Sequence, residues 1–285
     1  MNIFLVHLLW TVLLPLLSSA VIYFIIRAFA SRQALPIAIG IAYLATYVAV
    51  RPGWPSFPPR EYRDYIFIMG LVGLIWGIIE AYWHKNLIAR WTPRIILVFT
   101  FLLLLLKNRM KSWSTLEDIL WVAGLGIFFL VSWWILESLV KAEKPALPTP
   151  AMLIALLIWI GVFSAMSATQ GSSSMAQLAG AFAAALGIIM VLSWFLKVEL
   201  TPYFSTLFIF ILGTLLVCAV VFPNPGIPIF AAIFIALSPL LLLAVNTPNN
   251  LKGNILRIAV FAVPLVIMAG IFVARFLATY NQPSF

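Results

Sequence analysis

Two carboxylates set into apolar runs are the residues here best suited to chemistry: Glu80 in "GIIEAYWHK" and Glu137 in "WWILESLVK". An ionised carboxylate accepts hydrogen bonds and can hold a cation or pass a proton. Inside a membrane such a group marks a pathway or a partner. Each acid lies near the end of its run, with Lys85 or Lys141 a few residues on. Two readings are open: pairing with a base at the membrane interface, or a coupling or substrate role. Interfacial pairing is the simpler one.

The histidines extend this set little. His84 stands close to Glu80, and His7 lies far away near the amino end. Two isolated imidazoles without clustered thiols or carboxylates make neither a metal site nor a haem site, so no metal and no cofactor is expected. The sequence contains no H-E-x-x-H, no G-x-S-x-G and no phosphate-cradling Walker loop. No catalytic residue is assigned. Cys218 is the sole cysteine, buried in "LLVCAVVF", so no internal disulfide forms.

A second cluster is polar and uncharged. "SAMSATQGSSSMAQ" supplies Ser164, Ser167, Thr169, Gln170, Ser172, Ser173, Ser174 and Gln177. With the free N–H groups of a helix start, these residues could bind a polar ligand or a lipid head group. The competing reading is architectural. Ser173, Ala176, Gly180, Ala184 and Gly187 recur at steps of three or four and form one narrow face. Met175, Leu178, Phe182, Leu186 and Ile189 form the opposite, bulky face. Narrow faces let membrane helices approach closely, so Ala176, Gly180, Ala184 and Gly187 are expected to pack against a neighbour, below a start capped by hydroxyls. Ser114 and Glu117 in "STLED" match a capping box ahead of another apolar run.

The elements that must carry these residues are membrane helices. The chain of 285 residues is 64% hydrophobic and 9% charged, with a mean hydropathy of +1.13. Soluble domains are about half apolar and a quarter charged, so the composition is that of a polytopic membrane protein. Continuous rather than alternating apolar runs point to helices and exclude a barrel. The expected fold is an all-α bundle of about ten spans, between nine and eleven: 3–27, 34–50, 65–83, 93–107, 117–140, 150–169, 175–196, 202–222, 227–246 and 254–279. The fourth is short and needs its flanks. Pro15, Pro239 and Pro264 should bend the spans that hold them. The first run has no basic residue ahead of it and exceeds a signal core, so it is expected to be retained as a span.

Residues 1–285 form a single transmembrane domain with no soluble part. Its 1–144 half is rich in Trp and bases, and its 145–285 half is rich in small residues. The formal charge is +9, but the bases are scattered between spans, where they act as topology signals and lipid contacts. No nucleic-acid partner is expected. Ten of the seventeen Lys and Arg residues, Arg90 and Arg94 among them, fall after odd-numbered spans. That excess places both termini outside the cytoplasm, in a bacterial inner membrane. Trp54, Trp91 and Trp113 fall at boundaries, whereas Trp76, Trp133 and Trp134 lie within spans and need an acceptor or a packed partner.

Three functions fit. The membrane centre looks free of titratable groups, which favours a non-catalytic structural or accessory subunit that contacts membrane lipids and other membrane subunits. A transporter of a neutral, amphipathic or lipid-like substrate is the alternative. A lipid-modifying enzyme using Glu80, Glu137 or His84 is the third.

Overall fold

The computed structural model describes residues 9–30, 34–50, 54–82, 87–141, 147–170, 172–196, 198, 200–222, 227–245 and 250–280. Among them every regular element is a helix. A π-helical turn, Leu9–Leu13, leads into α1 (Leu14–Phe29) at Pro15, where the sequence anticipates a bend. Then follow α2 (Ala34–Val50), α3 (Tyr62–Tyr82), α4 (Leu87–Met110), α5 (Thr115–Lys141), α6 (Thr149–Thr169), α7 (Ser173–Phe195) and α8 (Pro202–Val221). The chain ends in α9 (Ile229–Leu237), α10 (Leu240–Ala244) and α11 (Leu251–Tyr280).

Eight of these segments are long and apolar enough to span a membrane, and α2 and the α9–α10 pair are shorter apolar helices. The all-α polytopic bundle is therefore the fold. The fourth span does recruit its flanks: α4 has 24 residues, about 36 Å of helix. The ninth is interrupted by a turn at Ser238 and Pro239, whose backbone angles stay in the helical region. Pro239 has no N–H to give to the carbonyl of Ile235 four residues back. That carbonyl accepts instead from the Trp159 indole at 2.6 Å and the Ser238 hydroxyl at 2.6 Å.

One helix organises the rest. In α8, 83% of the most apolar window is buried, against 17% in the first span. It packs on α3 and α5, with α2, α6, α7 and α9 also touching it. On one side α1, α2, α7, α6 and α11 form a connected wall. On the other, α3 and α5 flank α8, and α4 packs on α3 and α5.

Small residues set the tightest approach. On α3 the run "GLIWG" places Gly73 and Gly77 one turn apart against α8. A Cβ on Gly73 would sit 2.6 Å from the Cβ of Phe210, and one on Gly77 would sit 3.2 Å from the Tyr203 carbonyl oxygen. This small-x-x-x-small pair brings the two backbones together.

On α7 the bulky face is the more deeply buried one. Met175, Leu178, Phe182, Leu186 and Ile189 are buried, whereas Ala176, Gly180, Ala184 and Gly187 are only half-buried. A Cβ on Gly180 or Gly187 would meet nothing within 4 Å. Bulky residues bury more apolar area and reward inward placement, and Ala179, Ala181 and Ala185 of α7 are fully buried beside them. Ser19 of α1 donates to the Ala185 carbonyl at 3.1 Å, and Ser164 of α6 donates to that of Ala176 at 2.8 Å.

Candidate functional site

Four ionisable side chains meet where the carboxyl ends of α3 and α5 come beside the amino ends of α4 and α8. Glu80, Arg94 and Glu137 are 3%, 0% and 4% exposed, so none faces solvent or lipid. The Arg94 guanidinium grips Glu80 with both edges of its fork, Nε to Oε1 at 2.6 Å and Nη2 to Oε2 at 2.8 Å. Its Nη1 donates to Glu137 Oε2 at 2.5 Å. Arg90, one turn earlier on the same face of α4, is ion-paired with Glu137. Two acids and two bases make the group electrically neutral.

Neutral partners complete it. The Trp76 indole, one turn before Glu80, donates to Oε1 at 2.9 Å. The Thr206 hydroxyl of α8 donates to Oε2 at 2.6 Å. Glu80 thus accepts four hydrogen bonds, one for each lone pair a carboxylate offers. The Arg94 cation also lies 4.3 Å from the Trp133 ring centroid and 5.0 Å from that of Trp91, within cation–π range. Gly73 and Gly77 make this possible, because only a close α3–α8 approach lets Thr206 reach Glu80. Pro93 sits one residue before Arg94 and removes a backbone donor from that turn.

The position of the cluster matters as much as its bonds. Arg94 is the eighth residue of α4, about 10 Å along the helix from its start. A bilayer core is about 30 Å thick, so this distance is about a third of its depth.

These geometries alter the sequence expectations for the acids. The acids are ion-paired, with Arg94 and Arg90 of α4 as the described partners, in a buried setting rather than at an open interface. Lys85 and His84 lie outside the described residues. The topology count changes with them: Arg90 and Arg94 neutralise buried acids instead of flanking a span. Without them the odd connections carry eight bases against seven, and the charge bias no longer orients the chain.

The uncharged cluster is divided between settings. Ser167 is fully buried, and its hydroxyl has no hydrogen-bond partner among the described residues. Thr169 turns back onto the Met166 carbonyl at 2.9 Å, and Gln170 closes the end of α6. Ser172 precedes α7 but makes no side-chain cap, while its N–H donates to the Ser167 carbonyl at 2.9 Å. Ser173 is exposed, and Ser174 and Gln177 are half-buried. The hydroxyl cap expected for α7 is absent there. The capping box at α5 does form: Ser114 N–H donates to Glu117 Oε2 at 2.7 Å, and Glu117 N–H donates to Ser114 Oγ at 3.3 Å.

Among the intramembrane tryptophans, Trp76 finds Glu80, and Trp133 packs against Phe210 edge to face at 5.2 Å. Trp134 stays half exposed on the outer surface. Sequence reasoning missed the arginine half of the cluster and Thr206. The signal that could have found them is "GLIWGIIE", a close-packing pair of glycines leading straight to an acid.

Compared with family models, curated proteins and solved structures, the chain matches none. Its function rests on its own geometry.

Proposed function

We propose that this integral membrane protein is a non-catalytic structural or accessory component of a membrane protein assembly. The saturation of Glu80 carries the reading. A carboxylate whose four lone pairs are filled by Arg94, Trp76 and Thr206 has no site left for a proton, an ion or a substrate. Glu137 is ion-paired with both Arg90 and Arg94. Proton coupling, or lipid chemistry through these acids, would first have to dismantle the bonds that tie α3, α4, α5 and α8 together.

The transport alternative draws support from one feature, the α9–α10 interruption, since discontinuous spans build substrate and ion sites in carriers. Against it, Trp159 and Ser238 already occupy the carbonyl that such an interruption exposes.

The test is recovery of the full chain from its native membrane in mild detergent. The expected result is a partner at fixed stoichiometry whose own membrane abundance falls when this chain is depleted. A monodisperse species without partner, active in solute flux after reconstitution, would overturn the reading.

A further inference from the structure

The wall of the bundle holds an apolar groove between α5, α8 and α9, at the end opposite the Glu80 cluster. Its volume is about 290 Å³, and its lining includes Trp121, Gly124, Phe128, Val217, Val220 and Ile233. That is the volume of about ten waters, yet a water needs two to four polar partners and these walls are apolar. Hydrocarbon suits the space. At Gly124 an added Cβ would meet nothing within 4 Å, so the α5 wall is open at its middle.

The mouth of the groove is basic and aromatic. Lys107, Arg109 and Lys111 are exposed where α4 ends. Arg109 reaches the segment just past α8: its Nη2 donates to the Phe222 carbonyl at 3.3 Å, and its cation lies 5.7 Å from the Phe222 ring centroid. Phe222 is two residues beyond the groove-lining Val220. On the other edge Trp113 stacks on groove-lining Trp121 with centroids 5.6 Å apart, which brings the turn after Lys111 to the same place. The acids at this end include Glu117, Asp118 and Asp64, against the three bases, and two of them are engaged by backbone amides. Glu117 accepts from Ser114, and Asp64 accepts from Arg60 and Glu61 at 3.1 and 3.2 Å.

From this juxtaposition we infer that the groove holds an acyl chain of an anionic diacyl phospholipid whose phosphate rests against Arg109 and Lys111. The inference stands apart from the function proposed above. The bases select for net negative charge, because a zwitterionic lipid offers the same chains but offsets its phosphate with an ammonium group.

Native mass spectrometry of the full chain in detergent, titrated separately with palmitoyl-oleoyl phosphatidylglycerol and phosphatidylcholine, tests it. One phosphatidylglycerol should be retained, with about tenfold preference over phosphatidylcholine. The double variant Arg109→Gln/Lys111→Gln should bind both lipids equally. Gly124→Leu adds bulk to the groove from a position whose Cβ meets nothing within 4 Å, so it should weaken both lipids several-fold without lowering the melting temperature of the lipid-free protein. Equal binding of the two lipids by the unaltered chain would overturn the inference. So would full binding by Gly124→Leu, or a preference that survives the double variant.

Discussion

Arg94 and Glu80 divide the work of their cluster unequally. Glu80 has every acceptor site filled, whereas Arg94 is the one residue that reaches both acids and two indole faces. Removing one member of a buried pair leaves its partner charged and unsatisfied, at a cost of about 3–5 kcal/mol. Glu80→Gln should therefore lower the melting temperature in detergent sharply. The double variant Glu80→Gln/Arg94→Gln should recover part of the loss, because no net charge is then stranded. Equal melting of Glu80→Gln and the unaltered chain would remove the cluster from the list of stabilising features. The acids were legible in the sequence as charges in apolar surroundings. Their partners were not, because Arg94 is fourteen residues from Glu80 and forty-three from Glu137, and an isolated Arg near a span end reads as a topology signal.

Helix faces were harder to read than helix positions. Hydropathy located the spans because the bilayer imposes length and polarity on each one separately. Which face turns inward depends on neighbours, and both faces of a membrane helix are apolar. The small stripe of α7 is only half-buried, while the shorter Gly73–Gly77 pair on α3 makes the tight contact. Two substitutions separate these stripes. Gly73→Ala places a methyl 2.6 Å from Phe210 Cβ and should lower thermal stability by about 1–3 kcal/mol through overpacking. Gly180→Leu enters open space and should leave melting nearly unchanged. Melting curves of the two variants in the same detergent check both expectations, and a Gly180→Leu variant that fails to assemble would assign a packing role to the small stripe of α7.

For the molecule as a whole, the location of the buried charges constrains how the chain enters its membrane. A lone Arg well inside a helix opposes insertion by about 2.5–3.5 kcal/mol at the centre of a span, and less towards its ends. α3 precedes α4, so Glu80 is already at hand when Arg94 arrives, and the two helices can be lodged as a hairpin with cancelled charges. Glu137 is synthesised only afterwards, with α5. Segment 62–110 should accordingly insert more completely in a microsomal glycosylation assay than segment 87–110 alone, and Glu80→Gln should erase the difference. The contact that fastens the finished bundle would then also act as an escort during biogenesis, giving translation order a part in admitting an otherwise unwelcome guanidinium.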